Sequence, residues 1–228
     1  MVEVCDVSLV IKGNVILEHI NLHLEKGRIY GLIGRNGSGK TVLMKCICGF
    51  MHPTDGSIKV AGKVIGKDCD FPKDTGIIIE TPEFLPYYSG FQNLKSIAGL
   101  RGQIDAQQIR KAIETVGLNP KLKLPVRKYS LGMRQRLGLA QAIMENPSLL
   151  ILDEPMNGLD EEGVQDMRTY LLNLKEQGKT ILIASHSAED IAILCDKTFK
   201  LEHGRISIIG ADKLSESASC RIKKMGKL

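Results

Sequence analysis

The stretch Gly34-Arg35-Asn36-Gly37-Ser38-Gly39-Lys40-Thr41 constrains this chain more than any other. It follows the apolar run Ile29-Tyr30-Gly31-Leu32-Ile33 and precedes a segment, Thr41 to Phe50, in which Val42, Leu43, Cys46 and Ile47 recur at helical spacing. A strand, a glycine-rich loop and a helix therefore stand in that order, the context in which G-x4-G-K-T acts as a phosphate cradle. Glycines let the backbone curl until successive amides point inward, and the helix N-terminus beyond adds partial positive charge. At this spacing Lys40 bridges the two outer phosphates and the Thr41 hydroxyl ligates Mg²⁺. A glycine-rich turn without a ligand is the blander reading.

Well downstream, Leu149-Leu150-Ile151-Leu152 runs into Asp153-Glu154-Pro155. An unbroken apolar run buries both faces of a parallel strand, so the two acids emerge at its carboxyl edge, where open α/β sheets bind ligands. Side chains alternate along a strand, and Asp153 and Glu154 must therefore do different jobs. Asp153 is placed to join the Mg²⁺ shell, and Glu154 to polarise an attacking water as general base. A purely structural acid pair is the alternative.

The remaining organisation supports an α/β core. Leu22 and Leu24, then Arg28 to Ile33, read as strands around the Lys26-Gly27 turn, with further strands at Ser57 to Val60, Gly76 to Ile79 and Thr180 to Ala184. Between about Tyr87 and Asn146 strand periodicity is lost, and helices are expected at Leu94 to Leu100, Asp105 to Val116 and Leu131 to Glu145. After Ser148, alternation returns with an amphipathic helix carrying Val164, Met167, Leu171 and Leu174. The expected architecture is a mainly parallel sheet in a core made of residues 1–86 and 147–228, interrupted by a helical segment at 87–146.

Tyr129-Ser130-Leu131-Gly132-Met133-Arg134-Gln135-Arg136, just before the Asp-Glu strand, resembles the signature motif of ABC ATPases, whose usual form is LSGGQ. Ser130 and Gly132 match, while Leu131 and Met133 depart. Ser130 can cap the helix that follows, and its hydroxyl and that helix's first amides offer donors to a phosphate. Asn157-Gly158-Leu159-Asp160 looks like the family's D-loop and Ser185-His186 like its switch histidine. The motifs stand in the family's order over nearly the whole chain. The branch most similar is that of bacitracin and lantibiotic export or immunity ATPases.

That resemblance implies a P-loop NTPase fold with an N-terminal antiparallel β-subdomain. It implies ATP held by Gly34 through Val42, with Ser130 and Gly132, and His186 sensing the γ-phosphate as a third catalytic group beside Glu154 and Lys40. Metal contacts would come from Thr41, Asp153 and Glu80, the last standing where the family usually has its Q-loop glutamine. Glutamate still offers an oxygen to the metal but brings an extra negative charge. The aromatic that usually stacks on adenine is missing from Leu9-Val10-Ile11-Lys12-Gly13, leaving Ile11 or Lys12 to cover the base. A head-to-tail, ATP-dependent dimer follows, with each nucleotide between the loop of one copy and the Ser130 segment of the other. So does a separate transmembrane permease, docked at the Glu80 to Tyr88 loop, with the chain lying peripherally on the inner face of the cell membrane. The alternative within this family is a soluble clamp acting outside transport, although neither fused cassettes nor long coiled coils are present. A nucleotide kinase is disfavoured by the signature motif.

Composition narrows the partners. No apolar run reaches the roughly 18 to 20 residues of a spanning helix, and Met1-Val2-Glu3-Val4-Cys5 lacks a secretory pattern, so a cytoplasmic chain is expected. Six scattered cysteines suit a reducing compartment, and the Cys46/Cys48 pair alone supplies too few ligands for a metal. A net charge of +5 without interleaved aromatics gives no reason to expect nucleic-acid binding. The basic tail, Arg221, Lys223, Lys224 and Lys227, reads as a solvated end or as a contact for acidic lipid or protein.

Overall fold

Parity along the chain explains the two sheets of the computed structural model, which describes residues 1–209. In β1 (Val2–Ile11) the buried residues are Val2 and Val4, then Val7 and Leu9. The change of parity falls at a register shift between Val4 and Val7, where Asp6 takes a left-handed φ of 52°. A bulge there keeps both halves of the strand facing one core. β1 pairs antiparallel with β2 (Asn14–Leu24) and β4 (Asp55–Val60), and β5 (Lys63–Val64) completes a sheet of order β2-β1-β4-β5.

The second sheet contains β3 (Ile29–Ile33), β6 (Thr75–Ile78), β7 (Leu149–Asp153), β8 (Thr180–Ala184), β9 (Lys197–Glu202) and β10 (Arg205–Ile209), in the order β10-β9-β3-β8-β7-β6. All its neighbours run parallel except the β9/β10 hairpin. The segments on either side of Lys26-Gly27, β2 and β3, thus belong to different sheets. Burial on both faces is visible within β7. Leu149 and Ile151 pack with the first sheet and α1 (Lys40–Ile47), while Leu150 and Leu152 pack with the helices on the other side.

Those helices are α2 (Gly90–Arg101), α3 (Ala106–Thr115) and α4 (Leu131–Ile143), lying between β6 and β7 in sequence, together with α5 (Glu161–Glu176); α6 (Ala188–Leu194) follows β8. α2 begins earlier than the expected Leu94 because Ser89 and Gln92 form a reciprocal capping box. Asp105 caps α3 in the same way and Ser130 caps α4. The basic tail and Cys220 lie outside the described residues.

Candidate active site

The phosphate loop leaves the carboxyl end of β3 and enters α1 through Gly39, whose φ of 104° only glycine adopts readily. At Gly34 a side chain could not exist, because a Cβ would stand 2.3 Å from the Leu201 carbonyl oxygen and 2.7 Å from Ser38 Oγ. Arg35, Asn36 and Gly37 are exposed at the rim, and Lys40 is buried beneath them. Lys40 Nζ donates to the carbonyl oxygens of Gly34 and Arg35 at 2.7 and 3.2 Å, so the ammonium is already inside the loop. Ser38 Oγ is buried without a hydrogen-bond partner. An orphaned hydroxyl within a ring of amides is a place where an anion fits.

Thr41, on the first turn of α1, donates its hydroxyl to Asp153 Oδ2 at 2.7 Å. Asp153 shares the β7 face of Leu149 and Ile151, which looks toward α1, as the alternation predicts. Hydroxyl and carboxylate side by side are the hard oxygen donors that Mg²⁺ takes from a protein when phosphates and water complete its shell. Among the described residues no group of three His, Cys, Asp or Glu side chains could hold a metal alone, so such an ion here would depend on the substrate's oxygens.

Glu154 turns away from the strand with a left-handed φ of 49°. Its Oε2 accepts the His186 backbone N–H at 3.3 Å, and Oε1 lies 3.2 Å from His186 Nε2. That second contact lacks hydrogen-bond geometry, and it is an ion pair only when the imidazole is protonated. Burial raises the Glu154 pKa above the ordinary carboxylate range, and the Asp153 charge pushes the same way while His186 and Lys40 oppose it. The carboxylate side chain is 20% exposed and the imidazole 51%, so water reaches the pair from the side of the ring. A base, an ammonium and a hydroxyl–carboxylate pair thus converge on one sheet edge.

The signature segment opens α4, beside the turn that follows Glu154. Ser130 is exposed and its Oγ accepts the Met133 N–H at 3.2 Å. A Cβ on Gly132 would meet the Gly158 carbonyl oxygen at 2.6 Å, so the start of α4 leans against the Asn157–Asp160 turn. Gln135 from the same helix donates to the Glu154 carbonyl at 3.2 Å.

Residues 17–157 match the ABC transporter family model. The chain belongs to the ABC transporter family. It is 45% identical over 206 residues to the uncharacterized ABC transporter ATP-binding protein YybJ of Bacillus subtilis, covering 90% of this chain and 94% of that relative. It is 43% identical to the bacitracin transport ATP-binding protein BcrA of Enterococcus faecalis, covering 84% of this chain and 63% of BcrA. With the lantibiotic transport ATP-binding protein SrtF of Streptococcus pyogenes it shares 39% identity, over 84% of this chain and 82% of SrtF. The fold matches the ATP-binding cassette MJ0796, a dimer bound to ADP and Pi, with a TM-score of 0.83 at 19% identity, covering 93% and 100% of the two chains. An ATP binding subunit of an ABC transporter superposes with a TM-score of 0.82 at 26% identity, covering 92% and 90%. The chain is an ABC ATPase subunit, and no helix among its described residues is long and apolar enough to cross a membrane.

Two features of this ABC ATPase were hidden in the sequence, and a third, the cysteine pair, follows its reading there. Glu80, two residues past β6, has φ 61° and forms a 2.6 Å ion pair with Lys45, one turn beyond Thr41 on α1. The charge that distinguishes glutamate from glutamine is therefore matched by a lysine not singled out above. Ile11 is half-buried at the end of β1, and Ile16 on β2 lies against the loop, its carbonyl oxygen 3.2 Å from where a Gly39 Cβ would be. Cys46 in α1 and Cys48 at its C-cap are buried, and burial pushes their thiols up to about 11 and about 12. Protonated thiols are inert packing rather than ligands.

Proposed function

We propose that this chain powers a separate membrane permease that exports an antimicrobial peptide or drug-like substrate, working as an ATP-closed, head-to-tail dimer on the cytoplasmic side of the membrane. Support for the cargo comes from the transport named for BcrA and SrtF. Support for the chemistry comes from one observation above all: Thr41 and Asp153 are hydrogen-bonded beside the Glu154–His186 pair, at the mouth of the phosphate loop.

In this reading the loop amides, Ser38 and Lys40 bind the triphosphate, with Ile11 and Ile16 against the base. Thr41 and Asp153, with Glu80 nearby, hold Mg²⁺, which when bound neutralises charge on the phosphate oxygens. Glu154 orients a water on the γ-phosphorus and takes its proton as the bond from γ-phosphorus to the bridging oxygen breaks, leaving ADP and inorganic phosphate. His186 exchanges Glu154 for a γ-phosphate oxygen. Ser130 and Gly132 of a second copy reach the same phosphate, so closure depends on a contact that exists only with ATP bound.

The permease docks beside the loop that follows β6. A groove of about 740 Å³ opens there, lined by Thr81, Pro82, Ile97, Leu100 and Arg101 among others. Leu85, Tyr87 and Tyr88 are exposed next to it, Tyr87 by 73%. Apolar side chains gathered at a groove mark a contact surface.

Glu154→Gln with ATP and Mg²⁺ is expected to run as a dimer in gel filtration, and a monomer under those conditions sinks the clamp. Co-purification from membranes should bring one integral protein with the chain, and replacement of residues 84–88 should release it. Unchanged capture after that replacement counts against the docking surface.

A further inference from the structure

Behind the exposed His186 ring lies a buried polar chain that the reaction scheme does not use. Arg168, two turns into α5, is only 5% exposed. Its Nε donates to Asp190 Oδ1 at 2.8 Å and a terminal nitrogen approaches the same oxygen at 2.6 Å. The guanidinium also meets the exposed carboxylate of Glu189, at 3.0 and 3.2 Å. The other Asp190 oxygen, Oδ2, accepts the Ser185 hydroxyl at 3.3 Å, and Ser185 Oγ in turn accepts the Ser187 N–H at 3.1 Å. Ser187 closes the loop by capping α6, its hydroxyl accepting the Asp190 N–H at 3.2 Å.

The chain ends on Ser185 and Ser187, the two residues flanking His186, and none of its bonds lands on the imidazole. The ring itself is 51% exposed and has Glu154 as its neighbour. A buried ion pair contributes little net stability compared with apolar side chains of similar size, and its clearest attested use is to select one arrangement over others. Here the arrangement selected is that of the peptide on either side of His186. Asp160 caps α5, its Oδ1 accepting the Gly163 N–H at 3.0 Å, so the same helix carries the Asn157–Asp160 turn at its N-terminus.

We propose that Arg168, Asp190 and Ser185 are positioning residues for His186, a relay that fixes the switch imidazole from behind and ties it to α5. The proposal rests on His186 acting on the γ-phosphate. Because the relay touches neither loop nor base, it acts on the rate of hydrolysis and not on nucleotide affinity.

The decisive variant is Ser185→Ala in the full chain, which cuts the relay without leaving a charge buried. Loss of one hydroxyl that orients a reacting group is expected to lower kcat on the order of tenfold, with KM for ATP within about twofold. His186→Ala is expected to lower kcat by about 10² or more. Single-turnover hydrolysis of γ-labelled ATP, followed for hours, reads the double variant. If Ser185 acts through His186, adding Ser185→Ala to His186→Ala changes the rate by less than about twofold. The paired replacement Arg168→Leu with Asp190→Leu, which removes both charges together, should repeat the Ser185→Ala result; if that pair does not fold, Ser185→Ala decides alone. A Ser185→Ala rate within twofold of the parent overturns the relay, and so does an equal fall on both backgrounds. A His186→Ala rate near the parent's overturns the reading of His186 instead.

Discussion

Two helices of this chain have serine and glycine at their starts, and they begin differently. α1 has Gly39 at its N-cap with no side-chain cap, and Ser38 Oγ beside it is unpartnered. α4 has Ser130 at its N-cap, already bonded to the Met133 amide. The first four amides of any helix need acceptors. At α1 no side chain caps them, and the Lys40 ammonium and the Thr41–Asp153 pair stand beside the loop; at α4 the exposed Ser130 takes the Met133 amide. On the proposed reading, the contrast is between a loop that holds the anion and a helix start that completes the site of another copy. It is the physical basis for expecting two copies to share each nucleotide.

The largest expected effect comes from spoiling the open end. Lys40→Ala removes a charge-assisted contact worth about 1.5–3 kcal/mol for each hydrogen bond, so ATP affinity should fall by about 10² or more, read by calorimetry. Spoiling the capped end should act otherwise. Ser130→Ala should leave the ATP affinity of the isolated chain within about twofold while hydrolysis falls roughly tenfold, with about 1 kcal/mol lost from α4 stability. Mixing the two variants supplies the sharper test. In a head-to-tail pair of Lys40→Ala with Ser130→Ala, one composite site keeps both ends intact, so the mixture should hydrolyse ATP faster than either alone. A mixture no faster than its components breaks the comparison.

A smaller effect concerns the base. With affinity drawn from phosphates, and with only aliphatic side chains and Lys12 near Gly13, the stacking contribution of about 1–3 kcal/mol that an aromatic provides is absent. ATP and GTP should therefore differ in kcat/KM by less than about tenfold. A larger ratio would show a base contact that the β1–β2 turn does not reveal.

What was legible in the sequence was whatever repeats along the chain. The phosphate loop, the β7 run, Ser130 as a cap and Asp153 facing α1 all follow from spacing and parity. β1 escaped because the bulge at Asp6 changes parity midway, and the long register of β2 escaped with it. α2 starts four residues before the Leu94 that apolar spacing points to, because Ser89 and Gln92 carry the spacing of a capping box. β9 shows only Phe199 and Leu201 as buried alternates, too few to stand out among lysines. Contacts between distant segments could not be read at all. Lys45 meets Glu80 and Arg168 meets Asp190 only because strands and helices bring them together. The left-handed turns at Glu80 and Glu154, which re-aim both carboxylates at the sheet edge, are likewise set by tertiary structure and leave no mark in composition.

The smallest predicted effect tests whether the open end is held at a cost before its ligand arrives. Burial raises the Glu154 pKa in the folded chain above its unfolded value, with the Asp153 charge adding to it. Between those two values the native state binds more protons than the unfolded one, so this residue's contribution to stability declines as pH rises through the window. Above the window the folded chain carries the full penalty of an ionised, half-buried carboxylate, and Glu154→Gln relieves it. The variant should therefore melt at a higher temperature than the parent near neutral pH. The gap should close near pH 4, at about the unperturbed carboxylate value. Calorimetry across that range, without nucleotide, reads the sign directly. If the parent instead gains on the variant as pH rises, the carboxylate is stabilised by its neighbours, and the picture of a base held ready in an unfavourable setting fails.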